Sequence, residues 1–172
     1  TYEFWRTIAL HFKGNNTVAF YELFNEPTLF NGQLGSMSWS EWKKINENMI
    51  HLIRAYDNER IPLVAGLDWA YDLTPLHIEP IEAEGIGYTT HPYPYKRSKP
   101  YAPKWEEDFG FAAERYPLVA TEFSFGLGNL GLADNGEYGN EIISYLEKKG
   151  ISWVCWVCDP LWTPSLLQSG DT

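Results

Sequence analysis

Two short stretches of this chain each bring a carboxylate to the end of an apolar run. Ala19-Phe20-Tyr21-Glu22-Leu23-Phe24-Asn25-Glu26-Pro27 reads as a strand stopped by Pro27, which leaves Glu26 at its rim. Leu118-Val119-Ala120-Thr121-Glu122-Phe123 repeats the arrangement, with Glu122 standing 96 residues after Glu26. Two carboxyl groups, one a protonated acid and one an ionised nucleophile, are what retaining hydrolysis of a glycosidic bond needs. The acid needs its pKa raised by burial or neighbouring charge, while the nucleophile must stay ionised. Taken singly, each reads equally well as a strand-end carboxylate satisfied by backbone or a lysine.

The order of the other polar and aromatic residues carries more than either carboxylate alone. Phe24-Asn25-Glu26-Pro27 is followed by His91-Pro92-Tyr93, by Thr121-Glu122-Phe123, and by Trp156 on a last apolar run. This ordered set resembles the catalytic series of glycoside hydrolase family 5, which holds endoglucanases and mannanases on a (β/α)8 barrel. The likeness runs from about Thr1 to the end, but starts midway through the family's domain. The first three strands, with the Arg and His the family carries there, have no counterpart. The resemblance implies a retaining endo-β-1,4-glucanase-like glycosidase with Glu26 as acid/base and Glu122 as nucleophile. Asn25 would meet the sugar 2-hydroxyl, and His91 would bind substrate or tune the acid/base. Tyr93 would donate to the nucleophile, and Trp156 would floor the cleaved sugar. Trp69 is a further candidate platform, with core packing as the equal alternative. Such a pair implies carboxyl groups about 5–5.5 Å apart. No cofactor or metal is implied. The alternatives are a mannanase of the same family, or a catalytically impaired half-barrel that only folds, self-associates or binds polysaccharide.

The elements that must hold these residues alternate. Residues 1–13 have helical spacing, with Tyr2, Trp5, Ala9 and Phe12 on one face. Strands are expected over 18–25, 61–67, 85–90, 118–123 and 151–157, and helices over 38–54, 105–115 and 138–149. Ser38 and Glu41 form a capping-box pattern before the second helix. Its expected buried stripe is Trp42, Ile45, Met49, Leu52, Ile53 and Tyr56. Residues 70–84, broken by Pro75 and Pro80, read as weakly helical, and Gly126–Gly131 as a Gly-rich loop. The alternation means βαβ units and a parallel sheet, with every chemically suggestive residue at a strand's carboxyl end. The fold class expected is α/β, a partial (β/α)8 TIM barrel of about five parallel strands with intervening helices. The whole of 1–172 would be one partial barrel catalytic domain, from roughly the third helix to the eighth strand of the family's barrel. The 96-residue gap supports this, since three βα units of about 31 residues each would span it.

Composition narrows the partners. A net charge of −10 argues against nucleic acid, whose phosphates need a basic surface. With 8 Trp, 11 Tyr and 9 Phe, the chain is equipped to stack sugar rings or to build a large aromatic core. No apolar run is long enough to span a membrane. Cys155 and Cys158 lack a second ligand pair for zinc and are expected as two packed, reduced thiols. There is no initiating Met and no signal peptide, so the natural start is expected to be missing, and secretion is implied by the resemblance alone.

At 172 residues the chain falls short of the roughly 250 of a closed barrel. Two raw apolar edges, at 18–25 and 151–157, are therefore expected to invite pairing. A second copy forming a homodimer, a separate amino-terminal fragment, or covering loops would complete them. Glu22, four residues before Glu26, is expected to need a partner from the missing strands.

Overall fold

The structure, a computed structural model, describes residues 1–125, 137–162 and 165–167. The Gly-rich stretch from Gly126 lies outside the described residues. Five strands form one sheet in the order β1-β2-β3-β4-β5, with helices between them, as in part of a (β/α)8 barrel. The chain divides into two compact units, Thr1–Tyr88 and Thr89–Thr172. Among the described residues no helix is long and apolar enough to cross a membrane.

The first unit holds α1 (Tyr2–Phe12), β1 (Phe20–Glu22), α2 (Trp39–Arg54) and β2 (Ile61–Ala65). The Ser38 hydroxyl accepts from the Glu41 N–H while the Glu41 carboxylate accepts from the Ser38 N–H, so the expected capping box opens α2. Phe20, Tyr21 and Glu22 face Ile61, Pro62 and Leu63 in parallel register. Trp42 is buried and donates its indole N–H to the Ala65 carbonyl at 2.8 Å, which locks α2 onto β2. Met49, Ile53, Leu63, Tyr71 and Leu73 complete this core.

The buried face of α2 departs from its apolar stripe. Lys43 and Asn46 are buried, whereas Ile45, Leu52 and Tyr56 are half-buried. Lys43 is accommodated because its Nζ lies 2.7 Å from Glu82, 3.5 Å from Glu47 and 4.0 Å from Glu79. Hydrogen bonding to Glu82 comes first among the causes that raise its pKa. The weakly helical reading of 70–84 reduces to one 3₁₀ turn, Thr74–His77, with Pro75 at its start.

β3 (Gly87–Thr90) leads into the second unit, which continues with α3 (Tyr101–Asp108), β4 (Leu118–Ala120), α4 (Glu137–Lys149) and β5 (Ser152–Trp153). The helix expected at 105–115 begins four residues earlier, because Pro103 sits in a first turn, where a missing N–H costs nothing. It ends at Asp108, and Gly110–Glu114 follows as a 3₁₀ turn. Trp105 stacks on Tyr101 at 5.2 Å and meets Tyr138 of α4 edge-on at 5.6 Å.

Both outer strands are shorter than expected, three residues and two. A short edge strand presents few open backbone groups to another chain. Parallel pairing nevertheless runs on as single bonds, from Val154 N–H to Ala120 and from Trp156 N–H to Phe123, each 2.8 Å. The thiols also differ from expectation. They lie past the end of β5, so Cys155 is half-buried, with burial raising its pKa, and Cys158 is exposed. Glu22 is half-buried and has an interaction within the chain.

Candidate active site

In the first unit the chain leaves β1 through Leu23, which is buried and donates to the Leu63 carbonyl at 3.1 Å. Phe24 packs edge-on against Trp42 at 4.8 Å. These contacts fix the strand end, so the next two residues turn outward, Asn25 exposed and Glu26 half-buried. Pro27 and Thr28 are buried again.

The segment after Glu26 is tied to the segment after β2. Thr28 and Asp68 form an antiparallel bridge, and the Trp69 N–H donates to the Pro27 carbonyl at 3.1 Å. Trp69 and Ala70 are both left-handed, with φ of 53° and 58°. The chain turns back so tightly that a Cβ at Gly66 would stand 1.8 Å from the Asp72 carbonyl oxygen. Trp69 is thus seated one backbone bond away from the residue after Glu26, half-buried and 6.4 Å from the Phe30 ring.

In the second unit His91, Tyr93 and Glu122 come together. The Tyr93 hydroxyl donates to Glu122 Oε2 at 2.7 Å, and His91 Nδ1 lies 3.7 Å from the same oxygen. The second distance is too long for a hydrogen bond but close enough for charge coupling. His91 Nε2 and the Thr121 hydroxyl are 2.9 Å apart, and Thr121 also meets the Thr89 hydroxyl. The direction of the His91–Thr121 bond follows the imidazole tautomer. His91 is fully buried, and Glu122 is 9% exposed. A carboxylate gripped by a phenol and backed by an imidazole is held in one orientation, which is what an attacking oxygen needs.

Two supports of this cluster carry no local signal in the sequence. The Tyr138 hydroxyl on α4 donates to the Pro92 carbonyl at 2.6 Å, fixing the turn between His91 and Tyr93 from 46 residues away. Tyr95, 48% exposed, lies nearly parallel to Tyr93 at 5.9 Å. Trp156 follows β5, half-buried, with its ring 6.1 Å from Trp162.

Comparison with known proteins gives this arrangement a setting. The family described as Cellulase (glycosyl hydrolase family 5) matches residues 1–161. A beta-glucanase of Saccharophagus degradans, solved in its native form, is 45% identical with a TM-score of 0.91, over 96% of this chain and 53% of its own. The same beta-glucanase has been solved with cellotetraose bound. A cellulase of a Thermoanaerobacterium species is 27% identical over 166 residues, 90% of this chain and 41% of its own length. The major endoglucanase of Xanthomonas campestris, 21% identical with a TM-score of 0.81, shares the fold. The chain therefore spans about half the length of these relatives.

Proposed function

The chain belongs to glycosyl hydrolase family 5, and on that premise we propose that it carries the catalytic carboxylates of a retaining β-1,4-glucanase. Glu122 attacks the anomeric carbon while Glu26 protonates the departing glycosidic oxygen. The glycosyl–Glu122 ester is then opened by water, whose proton returns to Glu26. The observation that carries this reading is the bond from Tyr93 to Glu122, backed by His91, at the ends of β3 and β4. A phenol donating to a carboxylate favours its ionised form, and strand carboxyl ends are where barrel enzymes work. β-Glucan is preferred over mannan because the relatives are named beta-glucanase and cellulase. Asn25, His91, Trp69 and Trp156 belong to the proposal as substrate-binding residues.

A second reading is favoured by the length comparison. Residues Thr1–Thr172 would form a single partial-barrel domain that binds β-glucan and turns it over only when completed. Completion would come from an amino-terminal segment or from a second copy in a homodimer. Secretion, which suits a polymeric substrate, is part of the same proposal. Light scattering for mass, followed by reducing-end release from soluble β-glucan and mannan, tests these readings together. Turnover of β-glucan that Glu122→Gln abolishes supports the first. Binding without turnover supports the second, and neither binding nor turnover overturns both.

A further inference from the structure

We infer that Thr121 and Thr89 are positioning residues that set which nitrogen of His91 presents a hydrogen to Glu122. The inference rests on the glycosidase reading above and deepens it. It starts from strand geometry. Thr89 lies in β3 and His91 follows two positions later, so their side chains share one face of the chain. Thr121 stands one residue past the neighbouring strand β4. Its hydroxyl meets both of them, the Thr89 hydroxyl on one side and His91 Nε2, 2.9 Å away, on the other. Thr89 and His91 are fully buried. Buried polar groups keep their partners, and what remains to be settled is the direction in which the protons point.

A hydroxyl has one proton to give, so Thr121 donates either to Thr89 or to His91. A neutral imidazole, the form that suits full burial, has one N–H and one bare nitrogen. If Thr121 donates to Thr89, His91 carries its hydrogen on Nε2 and turns the Nδ1 lone pair toward Glu122. Nδ1 lies 3.7 Å from Glu122 Oε2. At that separation inside a protein, a lone pair facing a carboxylate is repelled, whereas an N–H dipole is attracted. Charge therefore selects the opposite arrangement. Thr89 donates to Thr121, Thr121 donates to His91 Nε2, and the Nδ1–H points at Glu122. The Tyr93 hydroxyl donates to the same carboxylate oxygen at 2.7 Å. A phenol and an N–H converging on Oε2 favour the ionised carboxylate that attack requires. The two threonines thus act on the nucleophile through His91, without meeting the substrate themselves.

Nitrogen-15 NMR of the imidazole rings reads this arrangement directly and needs no turnover. The His91 signals are identified by their loss in His91→Gln. At neutral pH the unsubstituted chain is expected to show Nδ1 protonated and Nε2 bare. A proton on Nε2, with or without one on Nδ1, overturns the inference. Thr121→Val keeps the branched shape and removes the hydroxyl. It should blur the single tautomer into a mixture and lower kcat on β-glucan about tenfold, the scale of one hydrogen bond, with KM little changed. Thr121→Ser should restore both the tautomer and kcat. Thr89→Val should act in the same direction and less strongly. A single Nδ1–H tautomer that persists in Thr121→Val shows the side chain to be packing alone and overturns the relay, as does an unchanged kcat. Circular dichroism verifies that the variants fold, and the unsubstituted chain decides the proton direction without them. Absence of turnover in the unsubstituted chain overturns the glycosidase reading instead, while the imidazole signals still decide the relay.

Discussion

The molecule makes the same bond twice for different ends. In the first unit the Tyr21 hydroxyl donates to Asp57 at 2.8 Å, and in the second the Tyr93 hydroxyl donates to Glu122 at 2.7 Å. Each pair is buried and each has a cationic or imidazole neighbour. Arg60 Nε lies 4.0 Å from Asp57, and His91 Nδ1 lies 3.7 Å from Glu122. What separates them is the end of the strand at which they sit. Asp57 lies in the turn that enters β2, 1% exposed, and its oxygens are spent on the Tyr21 hydroxyl and the Glu59 N–H. Glu122 follows β4, at 9% exposure, where the chain emerges from the sheet. The first pair should therefore register in stability and the second in turnover.

The electrostatics of the first pair agree with a structural duty. Burial pushes the Asp57 carboxyl up, but bonds from the Glu59 N–H and the Tyr21 hydroxyl, with Arg60 near, outweigh it and leave the pKa lowered. Tyr21 is pushed up to about 12, first by burial and then by its bond to Asp57. Among the described residues, Arg60 Nε and Nη2 are buried without a hydrogen-bond partner. That cluster is complete enough to hold the unit together but has no group to offer a substrate.

Glu122→Gln should produce the largest effect. Turnover of β-glucan should fall about 10³-fold or more, since an amide cannot form the covalent ester. The melting temperature should stay within about 2 °C, and a fall as large as that of Asp57 variants would erase the contrast between the pairs. Asp57→Ala comes next. Removing the carboxylate leaves the Tyr21 hydroxyl and the Glu59 N–H without their acceptor and takes away one of the two carboxylates near Arg60, and should cost about 3 kcal/mol, roughly 10 °C of melting temperature. Per folded molecule, activity should be unchanged, which titrated active-site counts would verify.

Tyr93→Phe should lower kcat roughly 10- to 100-fold with little change in stability, since a hydrogen bond to a charged group is worth about 1.5–3 kcal/mol. A mere rise in KM would show that Tyr93 meets substrate and not the nucleophile. The smallest effect belongs to Tyr21→Phe, about 1 kcal/mol of stability at neutral pH. Its clearest mark is alkaline. A phenol whose pKa is about 12 when folded and about 10 when unfolded contributes stability present below pH 10 and lost as pH rises to 12. The substituted protein should unfold less steeply over that window, as followed by circular dichroism. The Asp57 shift works in the opposite direction, its stabilisation being lost as pH falls through the lowered folded pKa.

The two pairs were not equally legible in the sequence. Tyr93 and Glu122 stand in an ordered series of strand ends, so types and order sufficed to bring them to notice. Tyr21 and Asp57 are 36 residues apart and match no pattern, and only the turn into β2 makes them meet. The same division runs through the fold. The capping box at Ser38 and the alternation of strands and helices depend on neighbours along the chain, and they read correctly. The burial of Lys43 and Asn46 did not, because Lys43 depends on Glu79 and Glu82 arriving from outside its helix, beside Glu47 within it, and Asn46 on its amide reaching the Trp42 carbonyl. Strand lengths were overestimated for a related reason. Apolar content shows where a strand is permitted, whereas its neighbour decides how far pairing runs.

Gly66 sets a limit on how this chain can drift. With the Asp72 carbonyl 1.8 Å from where a methyl carbon would stand, even alanine is barred unless the loop to Asp72 lifts away. Lifting it would unseat the backbone that orients Trp69. Inherited variation should therefore reach the two positions together: a lineage that loses the glycine must rebuild the loop first, and with it the aromatic surface beside Glu26. A library randomised over 66–72 and selected for β-glucan binding would return glycine at 66 whatever else it tolerated.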